Sequence, residues 1–403
     1  AFADPIFCLG VIKYMADRPT VPFAGAELRF EARVPLPTLP EPDLHNVRHV
    51  GTEPTNTNIV IDEALFLKAY RRAEPGPNPD LEMSRVLTDA GFEAIAPMLG
   101  HIVWDTDPPT LLVSLFSYVR NQGDVWNYAL NHLERHVTSI SSQDSTAPEA
   151  PHALFTTQMQ TLGRRIGEMH TILARQPDAA FAPEPIRSQD LSRWYSAVQF
   201  GTEAALSTLH QRLQTLSEGV RERAQQLINA REQLFTYIRE LSATPIDGLR
   251  IRVHGNLHLA KVMLAADDFL LTGFEGDTRL PLEERRQKES PLHDVASVLM
   301  SFQYARTVAL DHALTHRPEL RERIEPELAQ WQLLTTRAFM QGYRRAVIES
   351  GILPSTDVDT QRLLKLFMVI RAVHALRHEL ERRPEVLPAA IDALHDQLHA
   401  SFE

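Results

Sequence analysis

The hydrophobic period of the chain shifts from mostly strand-like to mostly helical after Val119, and that shift restricts the folds open to it. Between Asn56 and Val119 the apolar runs are short and strand-like. "NTNIVI" and "ALFLKAY", separated by "DE", predict a β-hairpin, and "TLLVSLFSYV" predicts a further strand. Between them, "NPDLEMSRVLTDAG" carries an asparagine start signal, then Leu81, Val86 and Leu87 at helical spacing, and a glycine stop at Gly91. From "VWNYALNHLERHV" onward the period is helical. "TQMQTLGRRIGEMHTILAR" predicts an amphipathic helix. Leu209, Leu213, Leu216, Val220, Ala224, Leu227 and Leu234 mark a long pattern from Asp190 to Leu241, read as core-facing and broken near Gly219. Helical spacing returns after Pro291. The loop "SSQDSTAPEAPH" reads as a mobile surface connection.

These patterns predict an α+β chain in which a small β-rich lobe, 46–120, precedes a large and mostly helical lobe, 121–403. Residues 1–45 combine a short apolar helix, "PIFCLGVIKYMA", with "VPLPTLPEPD", an extended connector because proline fixes its own φ and restricts its predecessor. At 403 residues the chain is long enough for more than one core. Its net charge of −11 argues against a general affinity for nucleic acid or anionic membrane. Cys8 is the single cysteine, which excludes an intramolecular disulfide and fits a reducing cytoplasm. No apolar run approaches the length of a membrane span, and no leader is evident.

The order of lobes suggests a two-lobed kinase architecture, and particular residues sharpen it. Lys68 lies mid-strand in "LFLKAY" and Glu82 on the following helix. A lysine that touches nucleotide phosphates needs a carboxylate to orient its ammonium. Upstream, "GTEPTNTN" forms a polar turn whose Thr55, Asn56 and Thr57 are candidates to cradle phosphates. Downstream, "RVHGNLHLAK" and "LLTGFEGD" occupy a short β-turn-β segment with the form of a phosphotransferase catalytic loop and its metal-binding follower. His254 and His258 are four apart, but "HGNLH" lacks the glutamate of a zinc hydrolase and reads as a pair of loop-bracing histidines. "EERRQK" and "RHELERRPE" read as solvated helix faces. Asp124 and Trp126 are explained equally by ligand contact or by packing.

Several long blocks extend the comparison. "FLKAYRRAEPGPNPDLEMSRVLTDAGF", "LGRRIGEMH", "RVHGNLHLAKVM", "GFEGDTRLPLEERRQKESPLHDVASVLMSFQYA" and "RAVHALRHELERRPE" are spread over nearly the whole chain. Through them the sequence resembles the maltokinase family, enzymes of the aminoglycoside-phosphotransferase-like fold that phosphorylate maltose with ATP and are often fused to or complexed with trehalose synthase. The resemblance implies that Lys68 meets nucleotide phosphates with Glu82 as its partner, and that Leu115 to Val119 meets adenine. It implies that His254 and His258 frame the catalytic loop, and that Glu275, Asp277, Arg279, Arg285, Arg286 and Asp294 border the sugar pocket. It also implies an N-terminal cap, of which residues 1–45 would be a remnant with a linker.

The sequence departs from the family at three reacting positions. Asn256 stands where the family has the aspartate that accepts the sugar hydroxyl's proton, and an amide has no useful basicity. Lys261 stands where the family has a glutamine that holds magnesium, and an ammonium is a donor-only cation. Gly273 stands where the family has its principal metal-binding aspartate. These losses lead to the expectation of a pseudokinase domain, working with or fused to trehalose synthase in an oligomeric assembly. On that reading its role is structural or regulatory, it needs no cofactor, and any isomerase activity resides elsewhere in the protein. The alternatives are an active maltokinase using ATP and magnesium to form maltose 1-phosphate, and a sensor that binds sugar or nucleotide without turnover. Lys261 is further expected to act as an internal cation paired with Glu275 or Asp277.

Overall fold

The computed structural model describes residue 2 and residues 4–17, 19–36, 47–51, 55–142, 150–382 and 386–398. Much of the expected proline-rich connector, three residues of "GTEPTNTN" and most of the "SSQDSTAPEAPH" loop lie outside the described residues. The chain forms two compact units, Ala1–Gly123 with Lys261–Gln287, and Asp124–Ala260 with Lys288–Glu403.

The first unit opens with α1 (Pro5–Asp17), β1 (Thr20–Phe23), β2 (Ala26–Ala32) and β3 (Val47–His49). The expected hairpin follows as β4 (Asn56–Ile61) and β5 (Leu65–Tyr70). The unit continues with α2 (Pro79–Asp89), β6 (Met98–Trp104) and β7 (Thr110–Ser117). All seven strands join one antiparallel sheet in the order β1-β2-β6-β7-β5-β4-β3. Asp62 and Glu63 are the central residues of the turn, with φ of 53° and 49°, in a three-residue connection closed by the Ala64 amide donating to the Ile61 carbonyl at 3.0 Å. Asn78 caps α2 by accepting a hydrogen bond from the Asp80 amide at 2.9 Å, with Pro79 beginning the helix and Gly91 ending the turn after it at φ 68°.

The early residues do more than the sequence suggested. Cys8, Ile12 and Met15 of α1 share a core with Ile59, Leu65, Leu67 and Ile102 of the sheet. The first 32 residues are therefore part of this unit's fold, where a cap remnant was expected. Burial raises the Cys8 thiol above its ordinary pKa, so it packs as a small apolar group.

The second unit is helical, with α3 (Val125–Ser142) and α4 (Ala153–Ala174), a short strand β8 (Glu184–Pro185), then α5 (Ser188–Arg212), α6 (Glu218–Asn229), α7 (Arg231–Ser242) and β9 (Leu249–Arg250). The chain then supplies β10 (Val262–Ala265), β11 (Asp268–Leu271) and α8 (Leu282–Arg285) to the first unit. It returns to the second as α9 (Leu292–His316), α10 (Arg321–Val347), α11 (Asp357–Arg382) and α12 (Leu387–Asp396). The stretch 261–287 thus belongs with the sheet, not with the helical lobe to which it was assigned. The break expected near Gly219 falls at Leu213–Ser217, a tight 3-10 turn and its exit, and Gly219 lies within α6.

Helices α4 and α10 meet through glycines. A Cβ on Gly163 would collide with the Phe339 carbonyl, and one on Gly342 with the Gln160 carbonyl. At this crossing the two backbones touch, and around it Phe155, Trp331, Phe339 and Tyr343 are buried. Gly342→Ala is expected to lower stability by about 1–3 kcal/mol through overpacking, seen as an earlier thermal midpoint than in an exposed Gly219→Ala control.

A histidine cluster lies beside this crossing. His132 Nε2 on α3 is 3.0 Å from His152 Nδ1, the His136 ring centroid is 4.4 Å from that of His152, and Glu327 on α10 is 3.6 Å from His136 Nε2. Burial, with help from neighbouring histidines, pushes His132 and His152 from 6.5 down to about 4. Between those values the unfolded chain binds more protons than the folded one, so stability rises with pH across the window. The thermal midpoint is expected to fall as pH drops from 6.5 toward 4, and to fall less steeply in His132→Gln.

Candidate active site

Lys68 is the centre of the first unit's polar chemistry. It sits on β5 with about 6% of its surface exposed, and it bonds Asp80 Oδ2 at 2.8 Å and pairs with Glu275. Burial works against its charge, but Asp80 and Glu275 outweigh burial and raise its pKa well above the ordinary lysine value. Tyr70 donates to the same Asp80 oxygen at 2.5 Å, and burial with the adjacent carboxylate raises its pKa well above 10.0. Asn56 donates to Glu275 at 2.8 Å.

This arrangement corrects the expected partner. Glu82 holds Arg286 through two bonds of 2.8 and 2.7 Å, while Asp80 takes the lysine. Side chains two apart on a helix point about 200° apart, so only one of Asp80 and Glu82 can face the sheet. Asp80, in the first turn, is the one that does, and the helical phase of α2 was the signal that could have identified it.

Lys68 and Asp80 line a cavity of about 410 Å³ in this unit. Its walls include Phe116 to Val119, four of the five residues of the Leu115–Val119 segment expected to meet adenine, together with Met263, Leu270 and Phe274. Arg48, Asn58 and Ser84 also line it and were not anticipated. Arg48 donates to the Tyr118 hydroxyl at 3.1 Å and stands over its ring. Thr55, Asn56 and Thr57 are not among the lining residues. The Thr55 carbonyl accepts from the Arg71 amide, Asn56 is committed to Glu275, and Thr57 lies in the β4 ladder opposite Ala69.

Lys261 and Gly273 meet at the cavity wall. Thr272 donates through its amide and its hydroxyl to the Lys261 carbonyl, at 2.9 and 3.1 Å. Gly273 has φ +79°, and a Cβ placed on it would lie 3.0 Å from Lys261 Nζ. Of the two acids expected to pair with Lys261, Glu275 pairs with Lys68 and accepts from Asn56, and Asp277 holds Arg279 through bonds of 2.8 and 2.6 Å. Arg285 pairs with Glu74 and donates to the Glu275 carbonyl at 3.3 Å. Glu275, Asp277, Arg279, Arg285 and Arg286 thus belong to a loop tied by ion pairs to Lys68, Glu74 and Glu82 outside it, with Asp277–Arg279 as a pair within it.

The second unit contains the loop His254–His258. Asp294, fully buried, accepts from the His254 amide at 2.7 Å and the Gly255 amide at 3.0 Å, and lies 3.2 Å from His170 Nε2. His170 in turn meets the Tyr343 hydroxyl at 3.0 Å. Burial alone would raise the Asp294 pKa, but the bonds from His170 and His293 hold it well below the usual carboxylate range. This brace replaces the expected role of Asp294 at a sugar-pocket border, because no face of it is open. His254 is also buried, with its Nδ1 3.4 Å from the Asn256 amide, whereas Asn256 and His258 are half-buried.

A kinase-like fold implies a divalent metal beside the nucleotide, and the cavity residues do not fit one. Magnesium asks for several oxygen ligands. Gly273 offers no side chain, Lys261 brings an ammonium, and Asp80, the one carboxylate among the described lining residues, is bound to Lys68. Among the described residues no three His, Cys, Asp or Glu side chains are grouped to hold a metal.

No protein-family model matches the chain. It is 26% identical over 357 residues to a glucosamine kinase of Mycolicibacterium smegmatis, covering 87% of this chain and 80% of that protein. It is 23% identical over 345 residues to a glucosamine kinase of Streptacidiphilus jiangxiensis, covering 82% and 69%. A solved glucosamine kinase in complex with glucosamine, ADP and inorganic phosphate superposes with a TM-score of 0.72 at 18% identity, over 97% of this chain and 85% of that one. The kinase-like fold is therefore shown. The expectation of a silent domain serving trehalose synthase is overturned, since both relatives, each matched over more than four fifths of this chain, are named as sugar kinases. Among the described residues no helix is long and apolar enough to cross a membrane.

Asp294→Asn leaves one oxygen to serve two backbone amides and a histidine. It is expected to cost about 1–3 kcal/mol in urea unfolding through the orphaned buried donor.

Proposed function

We propose that the chain is a nucleotide-dependent kinase of an amino sugar, with glucosamine as the first acceptor to test. The observation that carries this reading is the clamp on Lys68, a buried ammonium fixed by two carboxylates at the wall of a cavity large enough for a nucleotide. A lysine so held is suited to bind phosphate oxygens without reorganising, which is the main task a phosphoryl-transfer site performs. Support for the acceptor comes from the two relatives named glucosamine kinase and from the fold neighbour solved with glucosamine and ADP. A nucleotide thereby replaces the expectation of no cofactor.

Asn256 fits this reading as an orienting group. Phosphoryl transfer passes through a loose transition state, in which positioning and charge stabilisation outweigh proton removal. An amide at the head of a braced loop can accept or donate a hydrogen bond to a sugar hydroxyl while leaving its proton to solvent. A general base contributes about 10²–10⁴ in rate, so its absence slows the reaction without removing the binding and alignment.

Incubation with ATP and glucosamine is expected to yield a phosphosugar detectable by mass spectrometry, with maltose run beside it as the competing acceptor. Asn256→Asp is expected to raise turnover by about 10²-fold or more, and Lys68→Met to abolish nucleotide binding. Absence of phosphosugar from glucosamine in both the natural chain and Asn256→Asp would reject the amino-sugar assignment.

A further inference from the structure

We propose that the cavity binds its nucleotide without a divalent metal, with the Lys261 ammonium supplying positive charge at the place Gly273 leaves open. The inference rests on the nucleotide reading above and concerns the form of the ligand. Two observations carry it, one steric and one electrostatic.

The steric observation is the contact between Lys261 and Gly273. Any side chain at position 273 would begin 3.0 Å from both Cδ and Nζ of Lys261. The lysine tip therefore fills the space that a metal-binding side chain would need. Its backbone is fixed there by the two bonds from Thr272. The positive φ at Gly273 adds a second reason for glycine, because side chains rarely adopt that conformation.

The electrostatic observation is the sign of the walls. Among the described residues, Arg48, Lys68 and Lys261 line the cavity with one carboxylate, Asp80, which is already bonded to Lys68, a lysine that Glu275 also pairs with. Among the described lining residues, a divalent cation entering this space would meet the cations Arg48 and Lys261, and a carboxylate already bonded to Lys68. A free diphosphate or triphosphate is the complementary ligand, since its charge is not already neutralised by magnesium. The phosphate oxygens of such a ligand would meet the Lys261 ammonium, a cationic donor, at the cavity wall. Glycine and lysine act together here, one making room and the other bringing charge.

Calorimetric titration of the full chain with ADP, once in EDTA and once in saturating magnesium, tests this directly. The expected result is affinity in EDTA equal to or greater than that in magnesium. Lys261→Gln should weaken binding in EDTA by about tenfold to a hundredfold, the effect of losing one charged hydrogen-bonding partner. Binding that requires magnesium would overturn the inference and leave the nucleotide reading standing. Unchanged affinity in Lys261→Gln would also overturn it. Absence of ADP binding in either buffer would remove the nucleotide reading itself, and the inference with it.

Discussion

A charged lysine inside the first unit's sheet sets the terms for everything around it. Burying an ammonium costs several kcal/mol unless carboxylates and hydrogen bonds compensate for lost water. Lys68 meets that demand with Asp80 from the first turn of α2 and Glu275 from a loop two hundred residues away in sequence. The compensation ties strand, helix and loop into one unit and explains why 261–287 folds with the sheet. It also fixes the roles of the neighbours: Tyr70 donates to Asp80, Asn56 to Glu275, and neither carboxylate remains available for another cation.

The second unit applies the same principle with the charges reversed. Asp294 is buried and negative, and it is stabilised by backbone amides and by His170 rather than by a lysine or arginine. Because those amides belong to His254 and Gly255, the shape of the catalytic-type loop is set by a residue outside it. Nothing in this brace depends on the side chain at position 256, so the loop keeps its geometry with asparagine in place of an acid. The kinase-like form and the reactivity at its centre are therefore separable properties.

The division into a β-rich and a helical part was legible because period-2 and period-3.6 patterns are local and strong. Asn78 and Gly91 marked the ends of α2 correctly, as capping chemistry depends on only a few neighbouring residues. The partner of Lys68 was misassigned because Asp80 and Glu82 both suit a lysine, and only the phase of α2 against the sheet chooses between them. The glycines at 163 and 342 gave no local signal: their meaning comes from two helices, far apart in sequence, touching at those points. The histidines at 132, 136 and 152 were hidden for the same reason. The membership of α1, β1 and β2 in the sheet rests on pairing of β2 with β6, a contact between segments about seventy residues apart.

The three departures at the reacting positions do not form one event. Asn256 is a change of chemistry on an unchanged scaffold, since its loop is held by backbone bonds to Asp294. Lys261 and Gly273 are a coupled pair in which each residue makes the other tolerable. With a carboxylate at 273 the lysine tip would be displaced, and with a shorter neutral residue at 261 the glycine would leave a wall without charge. Such coupling means that restoring either residue alone removes one arrangement without completing the other. On the proposed reading, the first unit's cavity carries a substitution of one cation for another and not the loss of a metal site.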